Sequence, residues 1–232
     1  MSLTWNDARK RADLLSKIRV FFAIRNVVEV ETPILSLGTI TDVHLDAFST
    51  NYKYLSNNSI NLSSPLYLQT SPEFSMKRLL SAGYGCIYQI TKAFRDEGYG
   101  SHHNPEFTML EWYRLGYDHF QLMAEVAELL VETLNCEQPR KTSYQTLFLE
   151  TVGIDPLNCT TTELLGLIER YHKTSDWLLI EKDNDILLQF IFSEIIEPTI
   201  GIDAPVFVYS FPISQASLAQ VNMDDSRVSD RF

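Results

Sequence analysis

Residues 94–113 contain the side chains in this sequence that are best suited to chemistry on a phosphate. Arg95 and Glu97 lie two positions apart, and in a β-strand this spacing places both side chains on one face. An arginine can bind a phosphate through two parallel hydrogen bonds and stabilise the charge that develops on it during a reaction. The structural alternative is an Arg–Glu cross-strand pair on a solvated face.

The same stretch is predicted to form a long β-hairpin. Two β-type runs, Cys86–Phe94 and Phe107–Tyr113, flank a polar loop that contains two glycines and two histidines. Gly98 and Gly100 are expected to supply positive φ in the turn, and Pro105 cannot donate to a central ladder. On the returning strand, the alternation of faces places Glu111 and Tyr113 on one side.

A short helix is predicted just before the hairpin. Ser71 is expected to be its N-cap, Pro72 its first residue and Gly83 its stop signal. Glu73 then lies in the first turn, where the positive end of the helix favours a carboxylate for stability alone.

The rest of the chain alternates helical and β-type patterns. A helical block at about 136–200 is predicted to be inserted between sheet elements. The predicted elements are a helix from an Asn6 or Asp7 cap to about Asn26, a strand at Val27–Glu31, an Asn/Ser-rich turn at Ser56–Asn61, a helix from an Asp118 cap to about Asn135 with Phe120 on its inner face, helices at Tyr144–Val152, Thr162–Lys173 and Asp185–Glu197, and a β-run at Val206–Pro212.

Composition restricts the kind of protein that this chain can be. Its 232 residues are 45% hydrophobic, which is enough for a substantial core. The net charge of −11 argues against a broad nucleic-acid surface. The three cysteines lack metal-ligand spacing, and we expect no metal ligands within this chain. The sequence shows no apolar run long enough to span a membrane, and a cytoplasmic location is predicted.

A longer motif around the hairpin resembles a known family. Phe94-Arg-x-Glu, followed after a loop by His103-Asn-Pro-Glu-Phe-Thr-Met-x-Glu-x-Tyr113, is similar to motif 2 of class II aminoacyl-tRNA synthetases, and most similar to the lysyl branch. The resemblance implies an α+β catalytic domain over residues 1–232. Its sheet would be mixed, mainly antiparallel and flanked by helices.

The resemblance implies an ATP site at the hairpin. Arg95 would be the catalytic residue, because it would bind the α-phosphate and stabilise charge during adenylate formation. Glu97 would accept from the exocyclic amine of adenine, and Phe107 would stack on the base. His103 would approach the γ-phosphate, and Asn104 would also bind ATP.

The same resemblance implies a site for a diamino acid. Ser71, Pro72 and Glu73 match a substrate-binding segment of the lysyl branch, and Glu111 and Tyr113 would converge with Glu73 on the substrate. Two carboxylates suit lysine or β-lysine, because each ammonium group needs an anion to leave water at tolerable cost.

Further expectations follow from the family pattern. The serine in Ser71-Pro-Glu favours the free-standing ligases of this branch, which transfer an activated β-lysine to elongation factor P and not to tRNA. The helix and strand within Ala8–Pro33 resemble motif 1 and imply a homodimer. No Gly-x-Gly-x-Gly-x-x-Arg of motif 3 occurs, so the chain is expected to be truncated, with the Mg²⁺ ligands beyond Phe232.

Two alternatives remain open. The chain could be the catalytic fragment of a lysyl-tRNA synthetase, although few residues precede the first helix where an anticodon-reading domain would lie. It could also be a non-catalytic paralogue that uses the fold to bind a partner, although Arg95, Glu97, Glu73 and Glu111 are all intact.

Overall fold

The computed structural model describes residues 4–42, 45–51, 65–97, 100 and 103–232, which form two compact units, Met1–Gly116 and Tyr117–Phe232. Helices and mainly antiparallel sheets confirm the predicted α+β class. The helices are α1 Trp5–Ala23, α2 Glu73–Ser81, α3 His119–Leu134, α4 Tyr144–Val152, α5 Thr161–Arg170, α6 Asp176–Ile180 and α7 Asn184–Ile191. The strands are β1 Val28–Glu29, β2 Leu35–Ser36, β3 Ser49–Asn51, β4 Pro65–Leu68, β5 Ile87–Phe94, β6 Glu106–Tyr113, β7 Arg140–Ser143 and β8 Val206–Tyr209.

The predicted hairpin is confirmed in the first unit. Strands β5 and β6 pair antiparallel along their whole length, from Ile87 opposite Tyr113 to Phe94 opposite Glu106. Strand β1 pairs parallel with β5 and completes a three-stranded sheet of order β1-β5-β6. Strands β2, β4 and β3 form a second, antiparallel sheet.

Phe22 of helix α1 packs on this hairpin. Phe22 is fully buried, stacks on Tyr88 at 4.4 Å between ring centroids, and lies 5.4 Å from the Trp112 ring. Tyr88 and Trp112 are directly opposite each other in the hairpin and so share a face. The opposite face of β6 therefore carries Glu111 and Tyr113, as the alternation of side chains predicted.

The predicted N-caps of the first two helices are wrong. Thr4 caps α1 by accepting a hydrogen bond from the Asp7 backbone N–H, so neither Asn6 nor Asp7 is the cap. Pro72 occupies the N-cap position of α2 without a side-chain hydrogen bond, so Ser71 lies one residue before the cap. Gly83 has a φ of +88° just after α2 and is the predicted stop signal.

The glycine prediction for the hairpin loop is also wrong where it can be examined. Gly100 is not among the glycines with positive φ; it forms an isolated antiparallel bridge with His103 instead. Gly98 and the predicted turn at Ser56–Asn61 lie outside the described residues.

The second unit contains the predicted helical block, between two strands. Strands β7 and β8 pair in parallel, and the helices between them bury their own core around Tyr144, Phe148 and Leu167. The bounds of α4 are those predicted, and α7 continues into a π-helical turn, Phe192–Ile196.

The sequence missed several details of this unit. Strand β7 and helix α6 were not predicted, and the β-run beginning at Val206 ends at Tyr209 because Ser210 has a φ of +57°. Asp118 caps α3 as predicted, in a capping box with Gln121, but Phe120 is 45% exposed. Whether the chain is one catalytic domain remains a prediction.

Removal of the Phe22 ring should destabilise the first unit. We expect Phe22→Ala to lower the free energy of unfolding by about 3–5 kcal/mol, because the ring is fully buried between α1 and the hairpin. Tyr84→Ala is the matched control, because Tyr84 is 53% exposed, and should change stability by at most about 0.5 kcal/mol. Urea unfolding measures both, and a loss below about 1 kcal/mol for Phe22→Ala would contradict this packing.

Candidate active site

A cavity opens at the loop end of the β5–β6 hairpin, beyond the pair formed by Phe94 and Glu106. Its volume is about 290 Å³. Pockets that bind small molecules usually range from about 300 to 1,000 Å³, so this cavity is close to the lower limit. The residues that line it are Arg95, Glu97, His103, Asn104, Pro105 and Phe107. The cavity therefore gathers all five residues predicted from the sequence to bind a nucleotide, together with Pro105.

Arg95 is held at this cavity by backbone and ring contacts. Its backbone N–H donates to the Pro105 carbonyl at 3.0 Å, and its Nε donates to the Thr70 carbonyl at 3.4 Å. Its guanidinium carbon lies 5.2 Å from the centre of the Phe107 ring, within cation–π range. Strand β5 ends at Phe94, where the predicted β-type run also ended, so Arg95 and Glu97 follow the strand and do not lie in it, and Arg95 reaches the cavity from just after the strand.

Gln69 connects the segment before α2 to strand β5. Its backbone carbonyl accepts from the Phe94 N–H at 2.9 Å, and its side-chain Nε2 donates to Thr91 Oγ1 at 3.0 Å and to the Lys92 carbonyl at 2.7 Å. Because Phe94 precedes Arg95 directly, these hydrogen bonds position the end of β5 relative to the start of α2. The two parts of the candidate site are thereby held in one framework.

The second part is a cluster of carboxylates at the other end of the hairpin. Tyr113 Oη donates to Glu111 Oε1 at 2.7 Å, on the face of β6 that points away from Phe22. Glu73, in the first turn of α2, accepts from Lys77 Nζ at 2.5 Å. The charge of Glu73 acts on both Glu111 and Tyr113, so the structure brings the three predicted residues together.

Burial and charge perturb this cluster. Burial raises the pKa of Glu111; the Glu73 charge raises it too, whereas the hydrogen bond from Tyr113 and the Lys77 charge lower it. The pKa of Tyr113 is raised by burial, by its hydrogen bond to Glu111 and by both carboxylates. A half-buried anion beside a second anion is the environment in which a bound cation gains most.

Ser71 and Pro72 occupy less direct positions. Pro72 is buried at the start of α2, and its carbonyl accepts from the Met76 N–H. Ser71 lines a separate cavity of about 50 Å³ between α2 and the segment after Pro33. Of the three residues in this predicted segment, Glu73 is the one that the structure places beside Glu111 and Tyr113.

Lys77 is a site residue that the sequence analysis missed. Its spacing of four residues from Glu73 on a predicted helix was the available signal, because residues at i and i+4 are neighbours on a helix surface. The influence of Lys77 on Glu111 was not visible in that spacing.

The cavity and the cluster lie along one face of β6. Phe107 and Glu111 are four residues apart in this strand, so their side chains point to the same side, about 13 Å apart along it. An aromatic ring and a guanidinium are thus presented at one end, and two carboxylates and a phenol at the other. A ligand with a planar base and phosphate at one end and an ammonium group at the other would match both.

The part of the chain that the structure describes lacks two features, a membrane-spanning helix and a cluster of metal ligands. Its helices do not combine the length and apolar character that crossing a membrane requires. It also has no group of three or more His, Cys, Asp or Glu side chains able to hold a metal ion, so the described residues do not fit a Mg²⁺ site and no step below depends on one.

Comparison with known proteins gives consistent results. The family model described as tRNA synthetases class II (D, K and N) matches residues 4–232. A protein of Vibrio cholerae named elongation factor P–(R)-β-lysine ligase is 51% identical over 230 residues, which cover 97% of this chain and 68% of that protein. Proteins with the same name from Vibrio parahaemolyticus and Actinobacillus succinogenes are 50% and 49% identical, over 97% and 96% of this chain and 68% and 67% of their own length.

The raised pKa of Glu111 predicts a stability cost at neutral pH. At a pH between the pKa of Glu111 in the unfolded chain and its higher pKa in the folded protein, this carboxyl is more ionised in the unfolded chain. The free energy of unfolding therefore falls as pH rises through this window and stays lowered at higher pH. We expect Glu111→Gln to raise the free energy of unfolding at pH 7, with the gain fading as pH falls from the raised folded-state pKa towards the usual glutamate pKa of 4.5 and absent below it.

Glu106→Gln is the control for this prediction, because Glu106 lies on the same strand but is exposed and paired with Lys92. Urea unfolding at several pH values would measure both variants. An equal or larger gain for Glu106→Gln, or a gain for Glu111→Gln that persists unchanged at low pH, would contradict the electrostatic account.

Proposed function

Because the chain belongs to the class II tRNA synthetase family of the aspartyl, lysyl and asparaginyl enzymes, we propose that it is part of a ligase that activates β-lysine or lysine with ATP and transfers it to a lysine of elongation factor P. The name shared by relatives about half identical to this chain supports the acceptor. In this proposal the reaction proceeds in two steps, through an aminoacyl adenylate.

The observation that carries the proposal is the arrangement of two binding regions along β6. Adenine would stack on Phe107 and donate its exocyclic amine hydrogen to Glu97, while His103 and Asn104 would contact the phosphate chain at the mouth of the cavity. The amino acid's ammonium groups would bind Glu73 and Glu111, with Tyr113 holding Glu111 in place. The distance between these regions, about 13 Å along the strand, suits an amino acid joined to a nucleotide.

In the first step the carboxylate of the amino acid attacks the α-phosphorus of ATP. A bond forms between a carboxylate oxygen and phosphorus, and the bond to the departing pyrophosphate breaks. Arg95 would bind the α-phosphate oxygens and stabilise the charge that develops on them. The cluster of Glu73 and Glu111 would fix the other end of the substrate, so that binding energy at the ammonium groups positions the carboxylate for attack.

In the second step the side-chain amine of the acceptor lysine attacks the carbonyl carbon of the adenylate. An amide bond forms, AMP leaves with the electron pair of the ester bond, and the nitrogen loses a proton to solvent. No protein side chain serves as a nucleophile in this scheme. Positioning and electrostatic stabilisation by the residues of the site carry the catalysis.

We also propose that the protein forms a homodimer through α1 and β1. Phe21 and Phe22 are both buried within the chain, so they do not provide a second apolar surface. Val20, Ile24 and Val28 are each more than half exposed and do provide one. Strand β1 is also the edge of its sheet, which leaves backbone groups open to pairing.

Removal of the Arg95 guanidinium should abolish activation. We expect Arg95→Ala to reduce lysine- or β-lysine-dependent exchange of pyrophosphate into ATP by about 10²–10³-fold or more, as for loss of a group that stabilises transition-state charge. Arg95→Lys should recover little, because an ammonium cannot reproduce the two-pronged contact with a phosphate. Arg170→Ala, an exposed arginine of α5, is the control. Near-normal exchange in Arg95→Ala would exclude this role.

The identity of the acceptor is tested by offering elongation factor P and tRNA in the same reaction. With ATP and labelled β-lysine or lysine, we expect label on elongation factor P and none on tRNA. The physical reason is the chain's net charge of −11, because affinity for nucleic acid comes largely from cations that neutralise phosphates. Charging of tRNA with no label on elongation factor P would favour a lysyl-tRNA synthetase, and absence of adenylate with either substrate would favour a non-catalytic paralogue.

A further inference from the structure

A larger cleft lies in the first unit, against the outer face of α2. Its volume is about 610 Å³, well within the range of about 300 to 1,000 Å³ that is usual for binding pockets. One wall is the segment 36–39, which begins at the end of β2, and the other wall is α2 itself. The proposed function uses none of the described residues that line this cleft, which we call the α2 cleft.

Helix α2 presents one continuous face to the α2 cleft. The residues of this face follow one another at spacings of three and four, which keeps them on one side of a helix; they are Phe74, Lys77, Arg78 and Ser81. Met76, on the opposite side, is fully buried. The exposed side of α2 therefore offers an aromatic ring and two cations along a single stripe.

Both walls of the α2 cleft carry exposed apolar side chains. Leu37 on the loop wall is 75% exposed, and Phe74 on the helix wall is 46% exposed. A single exposed apolar residue is common on protein surfaces and has no special meaning. Two of them on the two walls of one cleft provide apolar surface that a bound side chain could cover.

The charge of the α2 cleft is opposite to that of the chain. The chain carries −11, yet the described residues that line the cleft include two cations and no carboxylate. Lys77 is paired with Glu73, so part of its charge is already offset. Arg78 is exposed and has no ion-pair partner among the described residues. The cleft is therefore suited to an anionic ligand, and Arg78 is the cation most available to it.

The α2 cleft adjoins the small cavity that Ser71 lines. The residues that line both cavities are Ser36, Gly38, Thr39, Phe74 and Ser75. The small cavity extends to Thr70, whose carbonyl accepts from Arg95 Nε at 3.4 Å. A segment bound in the cleft would thus lie beside the backbone that holds Arg95.

We propose that the α2 cleft is the docking site for the protein acceptor, and that it binds an acidic segment of that protein which also carries an apolar side chain. This inference rests on the proposed function, which supplies a protein as acceptor. Carboxylates of the segment pair with Arg78, and its apolar side chain packs against Leu37 and Phe74. A nucleic acid suits the cleft less well, because two cations neutralise few phosphates.

The test measures binding of elongation factor P to the parent chain, Leu37→Ser, Arg78→Glu and Arg78→Lys by biolayer interferometry. We expect the dissociation constant to rise about tenfold or more in Leu37→Ser, because a buried apolar contact is lost. It should also rise about tenfold or more in Arg78→Glu, because an attraction becomes a repulsion. Arg78→Lys keeps the charge and should stay close to the parent affinity.

Salt separates the two contributions. Added salt should weaken binding less in Arg78→Glu than in the parent, because an ionic contact is missing. In Leu37→Ser the salt dependence should match that of the parent, since the charges are unchanged. Equal salt dependence in the parent and in Arg78→Glu would overturn the ionic role of Arg78.

Matched controls make the same changes elsewhere on the surface. Leu218 is 77% exposed and Arg170 is exposed on α5, so Leu218→Ser and Arg170→Glu should bind elongation factor P as the parent does. Pyrophosphate exchange with lysine or β-lysine is measured for every variant. It should be unchanged in Leu37→Ser and Arg78→Glu, because neither residue belongs to the sites proposed for ATP and the ammonium groups.

The outcomes distinguish the inference from the proposed function. Parent-like binding in both Leu37→Ser and Arg78→Glu, or exchange without any binding of elongation factor P, overturns the docking site and leaves adenylate formation intact. Binding of tRNA that falls in Arg78→Glu but not in Leu37→Ser assigns the cleft to nucleic acid, and loss of self-association in Leu37→Ser with parent-like acceptor binding assigns it to a second copy; either result overturns the inference. A parent chain with neither exchange nor binding overturns the proposed function and the inference with it.

Discussion

The packing of Phe22 against Tyr88 and Trp112 decides which face of the β5–β6 hairpin becomes the candidate site. Because neighbouring residues of a strand point to opposite faces, burial of Tyr88 and Trp112 under α1 turns Glu111 and Tyr113 to the other side. A shift of one residue in the pairing would exchange the two faces and place the carboxylate in the core. Such a shift would bury an unpaired charge and expose two aromatic rings, so core packing and site geometry favour the same register.

The candidate site keeps the charges of Glu73 and Glu111 within electrostatic reach of each other, which costs stability. Glu111 is half-buried beside Glu73, and the unfavourable part of this arrangement appears as its raised pKa. Tyr113 and Lys77 offset some of the cost, one through a hydrogen bond and the other through its charge. In the proposed function a substrate ammonium bound between the two carboxylates would offset more of this cost, which would favour binding.

The parts of the structure that sequence could predict were those governed by local patterns. The hairpin was recognisable because two long β-type runs flank a polar loop with Pro105, and α4 because its apolar residues recur at helical spacing. Strand β7 has the polar sequence Arg-Lys-Thr-Ser and shows no alternation; it is a strand because β8 pairs with it from far along the chain. Likewise, the spacing of Lys77 from Glu73 was visible in the sequence, but the effect of the Lys77 charge on Glu111 depends on the folded positions of α2 and β6.

The most direct test of the central claim is a crystal structure of this chain with a non-reactive sulfamoyl analogue of lysyl adenylate. The account predicts the adenine ring against Phe107 and the sulfamoyl group, in the place of the α-phosphate, on Arg95. It also predicts an ammonium group within hydrogen-bond distance, about 3 Å, of Glu73 or Glu111. An analogue bound away from β6, or bound with its ammonium end at Arg95, would contradict it.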